Sequence, residues 1–187
     1  DLISKINPFP FLMPSHYAFQ LPLYPLFIRL FSFIGYNESM IFVSQLFALL
    51  FSISLYFLVK QINPKANALV IALLSIFYTP RWFIVSHVGS TEPQVLFFTT
   101  LFMIFFLKKK YFLSALVMSL VQFSKPQGIV FFAGIALFFL FQFIQKIIRK
   151  KSFVPIVTAF LPFLMIPAAL LIICTIYYFS FGDFFLI

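Results

Sequence analysis

The sequence predicts an all-α fold, a polytopic membrane helix bundle with about six transmembrane helices preceded by a loop and an interfacial helix. Of the 187 residues, 63% are hydrophobic and 9% are charged, and the mean hydropathy is +1.10. A soluble domain has about a quarter of its residues charged. Apolar segments long enough for helices recur along the chain, and the charged residues fall in the breaks between them. Such a chain must be surrounded by lipid.

The breaks between the apolar segments alternate in charge. Most of the 13 basic residues lie in three alternate connections, and every acid and both histidines lie in the other connections. The nine basic residues of the three connections are Lys60 and Lys65, then Lys108, Lys109 and Lys110, then Lys146, Arg149, Lys150 and Lys151, and the acids are Asp1, Glu38, Glu92 and Asp183. The positive-inside rule predicts that the basic connections are cytoplasmic. Any chemistry is therefore expected on the outer face.

Apolar length and helix breakers predict the elements in order. Residues 1–20 contain prolines among aromatic residues, which predicts an irregular loop on the membrane. Residues 21–34 are too short to span and contain an arginine, so an interfacial helix is expected, followed by a turn at 35–38. The six predicted crossings are residues 39–59, 66–85, 93–107, 111–123, 128–145 and 153–179. The chain is one predicted membrane domain, with 1–38 as outer loop and interfacial helix and 39–187 as the bundle.

The third and fourth predicted crossings are short, and a re-entrant hairpin is the alternative. That hairpin would place Lys108, Lys109 and Lys110 inside the membrane at large cost. Two short or tilted crossings are therefore preferred. The chain starts at Asp1 without an initiating methionine and ends just after a long apolar run, so we expect a fragment of a longer protein.

Composition also excludes several classes of function. The net charge of +9 does not indicate nucleic acid, because the basic residues lie at segment ends, where they set topology and contact membrane lipids. The single cysteine, Cys174, lies in an apolar run, so neither an intrachain disulfide nor a thiolate metal cluster is predicted. A metal site built from His16, His87 and the acids lacks ligand spacing, so no metal and no cofactor is predicted.

The densest polar cluster covers residues 86–92, with the sequence SHVGSTE, and leads directly into Pro93 and an apolar helix. Small polar residues and an acid at a helix start are also explained by capping and by the helix dipole. Capping requires neither His87 nor Glu92, and ionisable residues at membrane depth are functional by default. We therefore predict both as binding residues. The alternative for His87 is an amphipathic side chain at the interface.

A second polar cluster covers residues 124–128, with the sequence SKPQG. Lys125 is a cation on the predicted outer side. An ammonium beside a helix N-terminus opened by Pro126 would form a phosphate site with the free backbone N–H groups. Lys125 and Gln127 are predicted binding residues, and the alternative for Lys125 is snorkelling to outer headgroups.

Two weaker signals lie near the ends of the chain. Tyr24 lies between prolines before the predicted interfacial helix, and Asp183 follows Gly182 after the last crossing. Rigid loops and helix termination explain these patterns structurally. Because exposed loop residues often carry function, Tyr24 and Asp183 are also predicted binding residues.

These motifs resemble, in matching order, those of the integral-membrane glycosyltransferases of the GT-C superfamily. The motifs are PLYP at 22–25, the cluster at 86–92, SKPQG at 124–128 and FGD at 181–183. Within that superfamily the chain is most similar to mannosyltransferases of the PIG-V type and their prokaryotic relatives. The resemblance covers almost the whole chain, but each motif alone is short. The family usually has an arginine where Lys125 stands.

The resemblance implies an enzyme that moves a sugar, mannose in the PIG-V type, from a polyprenyl-phosphate donor to a hydroxyl of a lipid or glycan acceptor. Transfer would proceed with inversion on the outer or lumenal face, in the plasma membrane of a prokaryote or the endoplasmic reticulum of a eukaryote. The resemblance places the catalytic base upstream of residue 1, since Asp1 lacks the expected tryptophan–aspartate pattern. Such a transfer needs groups that stabilise the departing phosphate and orient the hydroxyls; Lys125 is the candidate for the phosphate, and Glu92 and His87 are the candidates for the acceptor or sugar hydroxyls.

Two other functions are compatible with the sequence. A secondary transporter could use His87, Glu92 and Lys125 along a substrate path, although transporters place such groups near mid-membrane and often contain internal repeats. A non-catalytic subunit of a membrane complex would need only the aromatic packing. Substitution of Glu92 or Lys125 would leave the function of such a subunit unchanged.

Overall fold

The computed structural model describes residues 21–77, 89–149 and 152–181, and these residues form an all-α bundle, which confirms the predicted fold class. The α-helices are α1 (Leu23–Leu30), α2 (Tyr36–Ile62), α3 (Ala68–Phe77), α4 (Glu92–Leu107), α5 (Tyr111–Ser124), α6 (Gly128–Ile148), α7 (Val154–Phe160) and α8 (Met165–Phe181). Short 3-10 segments at Ser32–Ile34 and Leu161–Leu164 follow α1 and α7.

Three helical stretches in the described part of the chain are long and apolar enough to cross a membrane: Tyr36–Ile62, Gly128–Ile148 and Val154–Phe179. Only 17% of the most apolar window of Gly128–Ile148 is buried within the protein, and 28% of the other two windows. Most of this apolar surface must therefore face lipid, and the chain is a membrane protein. Helices α4 and α5 are shorter, with 16 and 14 residues. The predicted crossing at 66–85 extends past the described residues.

The predicted turn at 35–38 is wrong beyond its first residue. Gly35 has φ 108° and ψ 148°, and α2 begins immediately afterwards at Tyr36. Glu38 therefore lies in the first turn of α2, where the helix dipole favours an acid. A single glycine at positive φ redirects the chain without the longer turn that the sequence suggested.

The predicted interfacial helix and the last predicted crossing are both interrupted. The interfacial helix divides into α1 and the 3-10 segment Ser32–Ile34, so its α-helical part is only eight residues long. In the last crossing, Pro162 lies within the 3-10 segment between α7 and α8. Proline has no N–H to donate and clashes with the preceding turn, which accounts for the change in helix type there.

Helix α4 packs most extensively against α2 on one side and α5 on the other. Buried apolar side chains from all three helices join one core, including Phe47 of α2, Phe98 and Phe102 of α4, and Met118 of α5. The connection between α4 and α5 is short, with Lys109 at φ 58°, so the two helices run antiparallel. The start of α4 and the end of α5 therefore lie at the same end of the bundle.

Candidate functional site

The two polar clusters predicted from the sequence meet through an ion pair. Lys125 Nζ donates a hydrogen bond to Glu92 Oε1 at 2.7 Å, and the side chains are 25% and 42% exposed, respectively. Glu92 is the first residue of α4, and Lys125 directly follows the last residue of α5. Both are therefore helix-end residues that remain partly accessible to water.

The proline after Lys125 explains where that lysine lies. Lys125 caps α5 in an extended conformation, with φ −151° and ψ 145°, and its N–H donates to the Val121 carbonyl at 2.8 Å. A residue before proline is disfavoured in helical conformation, so Pro126 ends α5 at this point. Helix α6 begins at Gly128, which confirms the predicted start of the crossing 128–145, and Pro126 lies in the turn two residues before it. Gln127 lies exposed in that turn, near Lys125 in the chain.

Glu92 is fixed by the local structure of the α4 start. Its N–H donates to Ser90 Oγ at 3.3 Å, and Pro93 follows it in the first turn of the helix. A carboxylate is favoured here because it faces the positive end of the helix dipole. Proline in the first turn removes an N–H that would have no helical partner. The N-cap residue Thr91 makes no side-chain capping hydrogen bond, and the hydroxyl that accepts from the first N–H of α4 is that of Ser90, one residue earlier.

A buried hydrogen-bond network anchors the segment before Glu92 to α2. Ser90 N–H donates to Ser44 Oγ at 2.8 Å, and the Ser44 hydroxyl lies 3.0 Å from the Ser90 carbonyl oxygen. The phenol oxygen of Tyr24 lies 2.9 Å from Ser44 Oγ and 3.1 Å from the Met40 carbonyl oxygen. Ser44 is completely buried and Tyr24 nearly so. The prediction of Tyr24 as an exposed loop residue is wrong, because it is buried in the first turn of α1, where it connects α1 to α2 and, through Ser44, to the segment that leads to Glu92.

Gly89 lets this segment pass close to α2. Its φ is +76°, which L side chains rarely adopt. A Cβ at this position would lie 3.0 Å from Met40 Cε and 3.5 Å from the Tyr24 hydroxyl. Glycine is therefore required both for the backbone conformation and for the close approach.

Burial controls the protonation of Tyr24. Desolvation raises the pKa of its phenol above the usual value, and the negative charge of Glu92 and the nearby Tyr36 add smaller increases. The hydrogen bond with Ser44 lowers the pKa in part compensation. The Tyr24 phenol is therefore neutral and available as a hydrogen-bond donor at physiological pH.

Two buried glutamines near the ion pair were not predicted from the sequence. The side chains of Gln94 in α4 and Gln122 in α5 are 0% exposed, and both amide atoms of each have no hydrogen-bond partner among the described residues. Gln122 Oε1 would lie 2.5 Å from a Cβ placed on Gly128, so this carboxamide rests against the first residue of α6. In the sequence they are isolated glutamines in apolar segments, and nothing distinguishes them there.

The other predicted site residues, His87 and Asp183, lie outside the described residues. Within the described ranges, no group of three histidine, cysteine or acidic side chains is placed to hold a metal ion. Comparison of the chain with protein-family models, with curated proteins and with solved structures gave no match.

Proposed function

We propose that this chain is part of an integral-membrane glycosyltransferase of the GT-C type. It moves a sugar, with mannose favoured by the resemblance, from a polyprenyl-phosphate donor to a hydroxyl of a lipid or glycan acceptor on the outer face. The contact between Lys125 and Glu92 carries this proposal. It joins, at 2.7 Å, two of the clusters whose order along the chain carries the resemblance.

The transfer breaks the bond between the anomeric carbon and the phosphate oxygen and forms a bond from the acceptor oxygen on the opposite face. The leaving phosphate retains the bonding electrons, and the acceptor proton passes to a base that is not assigned to any described residue. Negative charge grows on the phosphate as the bond breaks. An ammonium fixed beside that phosphate stabilises the transition state, and Lys125 is the residue proposed for this role.

The donor phosphate would exchange with the carboxylate of Glu92 at Lys125. Both side chains are partly exposed, and an ion pair in such a position is worth about 0–1 kcal/mol, so the exchange costs little. A dianionic or monoanionic phosphate offers several oxygens to the same ammonium. Glu92, once released, can accept a hydrogen bond from a hydroxyl of the sugar or of the acceptor.

The position of the ion pair supports the transferase over the transporter. Transporters place ionisable groups near mid-membrane on broken helices. Glu92 begins α4 and Lys125 follows the end of α5, so both charges lie at helix ends. A lipid-linked donor whose phosphate lies at the headgroup level would meet the protein at this depth.

Transfer of radiolabelled mannose from polyprenyl-phosphate mannose, measured in membranes containing the protein, tests the proposal. We expect Glu92→Gln and Lys125→Ala each to abolish transfer. Matched controls are Glu38→Gln, an exposed acid in the first turn of α2, and Lys65→Ala, an exposed cation in the connection before α3. Both controls should retain activity. Normal transfer by Glu92→Gln and Lys125→Ala would reject these roles.

A further inference from the structure

Two neutral carboxamides lie buried within about one helical turn, along the chain, of the residues of the ion pair, and have unmet hydrogen-bonding capacity. Gln94 is two residues after Glu92 in α4, and Gln122 is three residues before Lys125. Each is 0% exposed, and neither the nitrogen nor the oxygen of its amide has a partner among the described residues. Because α4 and α5 are antiparallel, both amides lie within about one helical turn of the same end of the bundle.

Such groups are uncommon because they are costly. Nearly all buried polar groups in proteins have a hydrogen-bond partner, and each exception calls for an explanation such as a ligand or a bound water. In an apolar membrane helix, leucine or methionine would fill the same space without this cost. Both amides lie within about one helical turn, along the chain, of the ion pair between Lys125 and Glu92, which points to a ligand at this end of the bundle.

The hydrogen-bonding groups of a carboxamide restrict which ligands can satisfy it. Its NH₂ group donates hydrogen bonds and its carbonyl oxygen accepts them, so a partner must both accept and donate. A phosphodiester or an ionised carboxylate only accepts, and would leave both carbonyl oxygens unmet. A hydroxyl group does both. Neutral carboxamides therefore match a ligand that carries several hydroxyls.

We propose that Gln94 and Gln122 bind the hydroxyl groups of the donor sugar, next to the phosphate at Lys125. This inference rests on the proposed function and names the two residues that recognise the sugar. Gln122 is placed for it by Gly128, since a side chain at 128 would collide with its amide oxygen and backbone. The carboxamide of Gln122 thus lies against the end of the connection between α5 and α6, which contains Lys125.

Opening of the ion pair gives the sugar access to the buried amides. The Lys125–Glu92 contact joins the first turn of α4 to the end of α5 at the water boundary. When the donor phosphate replaces Glu92 at Lys125, that link between the two helix ends is released. The terminal turns of α4 and α5 can then separate locally, and the sugar hydroxyls satisfy the amides there.

Lipid binding to the protein in nanodiscs tests this assignment with two probes, polyprenyl-phosphate mannose and polyprenyl phosphate without sugar. The variants are Gln94→Leu and Gln122→Leu, which remove the polar atoms and keep an apolar side chain. We expect each variant to bind the mannose lipid about tenfold more weakly or worse, because hydrogen bonds to the sugar are lost. Binding of the sugar-free lipid should change less than about twofold.

Thr99 provides a matched control. Its hydroxyl oxygen in α4 is also buried without a partner among the described residues, but Thr99 lies about two turns from Glu92 along the helix, whereas Gln94 lies within one. Thr99→Val should leave binding of both lipids unchanged. Thermal unfolding of every variant checks folding, and Gln94→Met and Gln122→Met replace any leucine variant that does not fold.

Three other results of the binding experiment would each contradict a specific part of the proposal. Variants that bind the mannose lipid as tightly as the wild type overturn the sugar assignment, as expected if buried water alone serves the amides. Equal loss of both lipids also overturns it, because the amides would then act on the phosphate or on the site as a whole. Failure of the wild type to bind either lipid overturns the proposed function and the inference with it.

Discussion

Ser44 Oγ lies within 2.8 Å of the backbone nitrogen of Ser90 and within 3.0 Å of its carbonyl oxygen. One side chain of a membrane-spanning helix thus binds both polar groups of a residue 46 positions later in the chain. Ser90 in turn accepts a hydrogen bond from the N–H of Glu92. The position of the Glu92 carboxylate therefore depends on a hydroxyl in α2.

Ser44→Ala should displace the segment at Ser90. It leaves a part-buried N–H without its partner, and the penalty for a fully buried group is about 1–3 kcal/mol. We expect lower thermal stability and weaker sugar transfer, with Ser44→Thr restoring part of both. Ser54→Ala is the control, because the Ser54 hydroxyl donates to the Phe51 carbonyl within the same helix. If Ser44→Ala matches Ser54→Ala in stability and transfer, Ser44 does not position the site.

Gly89→Ala should be destabilising for a separate reason. A left-handed conformation costs a residue with a Cβ about 1–2 kcal/mol, and the new atom would press on Met40. Gly134→Ala is the control, since a Cβ there meets nothing within 4 Å and alanine favours a helix. Thermal unfolding in detergent should therefore show opposite shifts for the two variants. Equal shifts would contradict the strain at Gly89.

The pH dependence of stability should depend on Tyr24. Its pKa is raised on folding, so the folded state holds the phenol proton more tightly than the unfolded state. The stability that this provides is complete below the unfolded pKa of about 10 and is lost as the pH rises through the higher folded pKa. Tyr24→Phe should flatten the fall in melting temperature between pH 9 and pH 11. An unchanged slope would contradict the assignment.

The sequence predicted most helices because their ends carry strong signals. Proline, glycine and lysine clusters bound the apolar segments, so α4 and α5 begin and end within one residue of the predicted positions. The contact between Glu92 and Lys125 follows once those helices form an antiparallel pair. The role of Ser44 could not be predicted, because a serine in an apolar helix usually bonds its own helix and has no sequence signal for a distant partner. The interruption at Pro162 could not be predicted either. A proline in an apolar segment can kink or break a helix, and the sequence does not show that a 3-10 segment joins α7 to α8 here.

The sidedness of the bundle follows from the positive-inside rule and can be measured by cysteine labelling. Gln127 and Lys109 are both exposed, near opposite ends of α5. In a Cys174→Ala background, a membrane-impermeant maleimide should label Gln127→Cys in intact cells or sealed vesicles of outward orientation. Lys109→Cys should be labelled only after permeabilisation. Labelling of both residues from the same side would contradict the predicted topology.

The most direct test of the site is sugar transfer by the charge-swap variant Glu92→Lys/Lys125→Glu. The swap can re-form an ion pair, and a lysine at the start of α4 costs only about 0.3–1 kcal/mol against the helix dipole. If Lys125 binds the donor phosphate, the swapped protein should fold with a melting temperature near that of the wild type and transfer no sugar. Transfer at the wild-type rate by the folded swap variant would show that the pair is structural, and would contradict the proposed site.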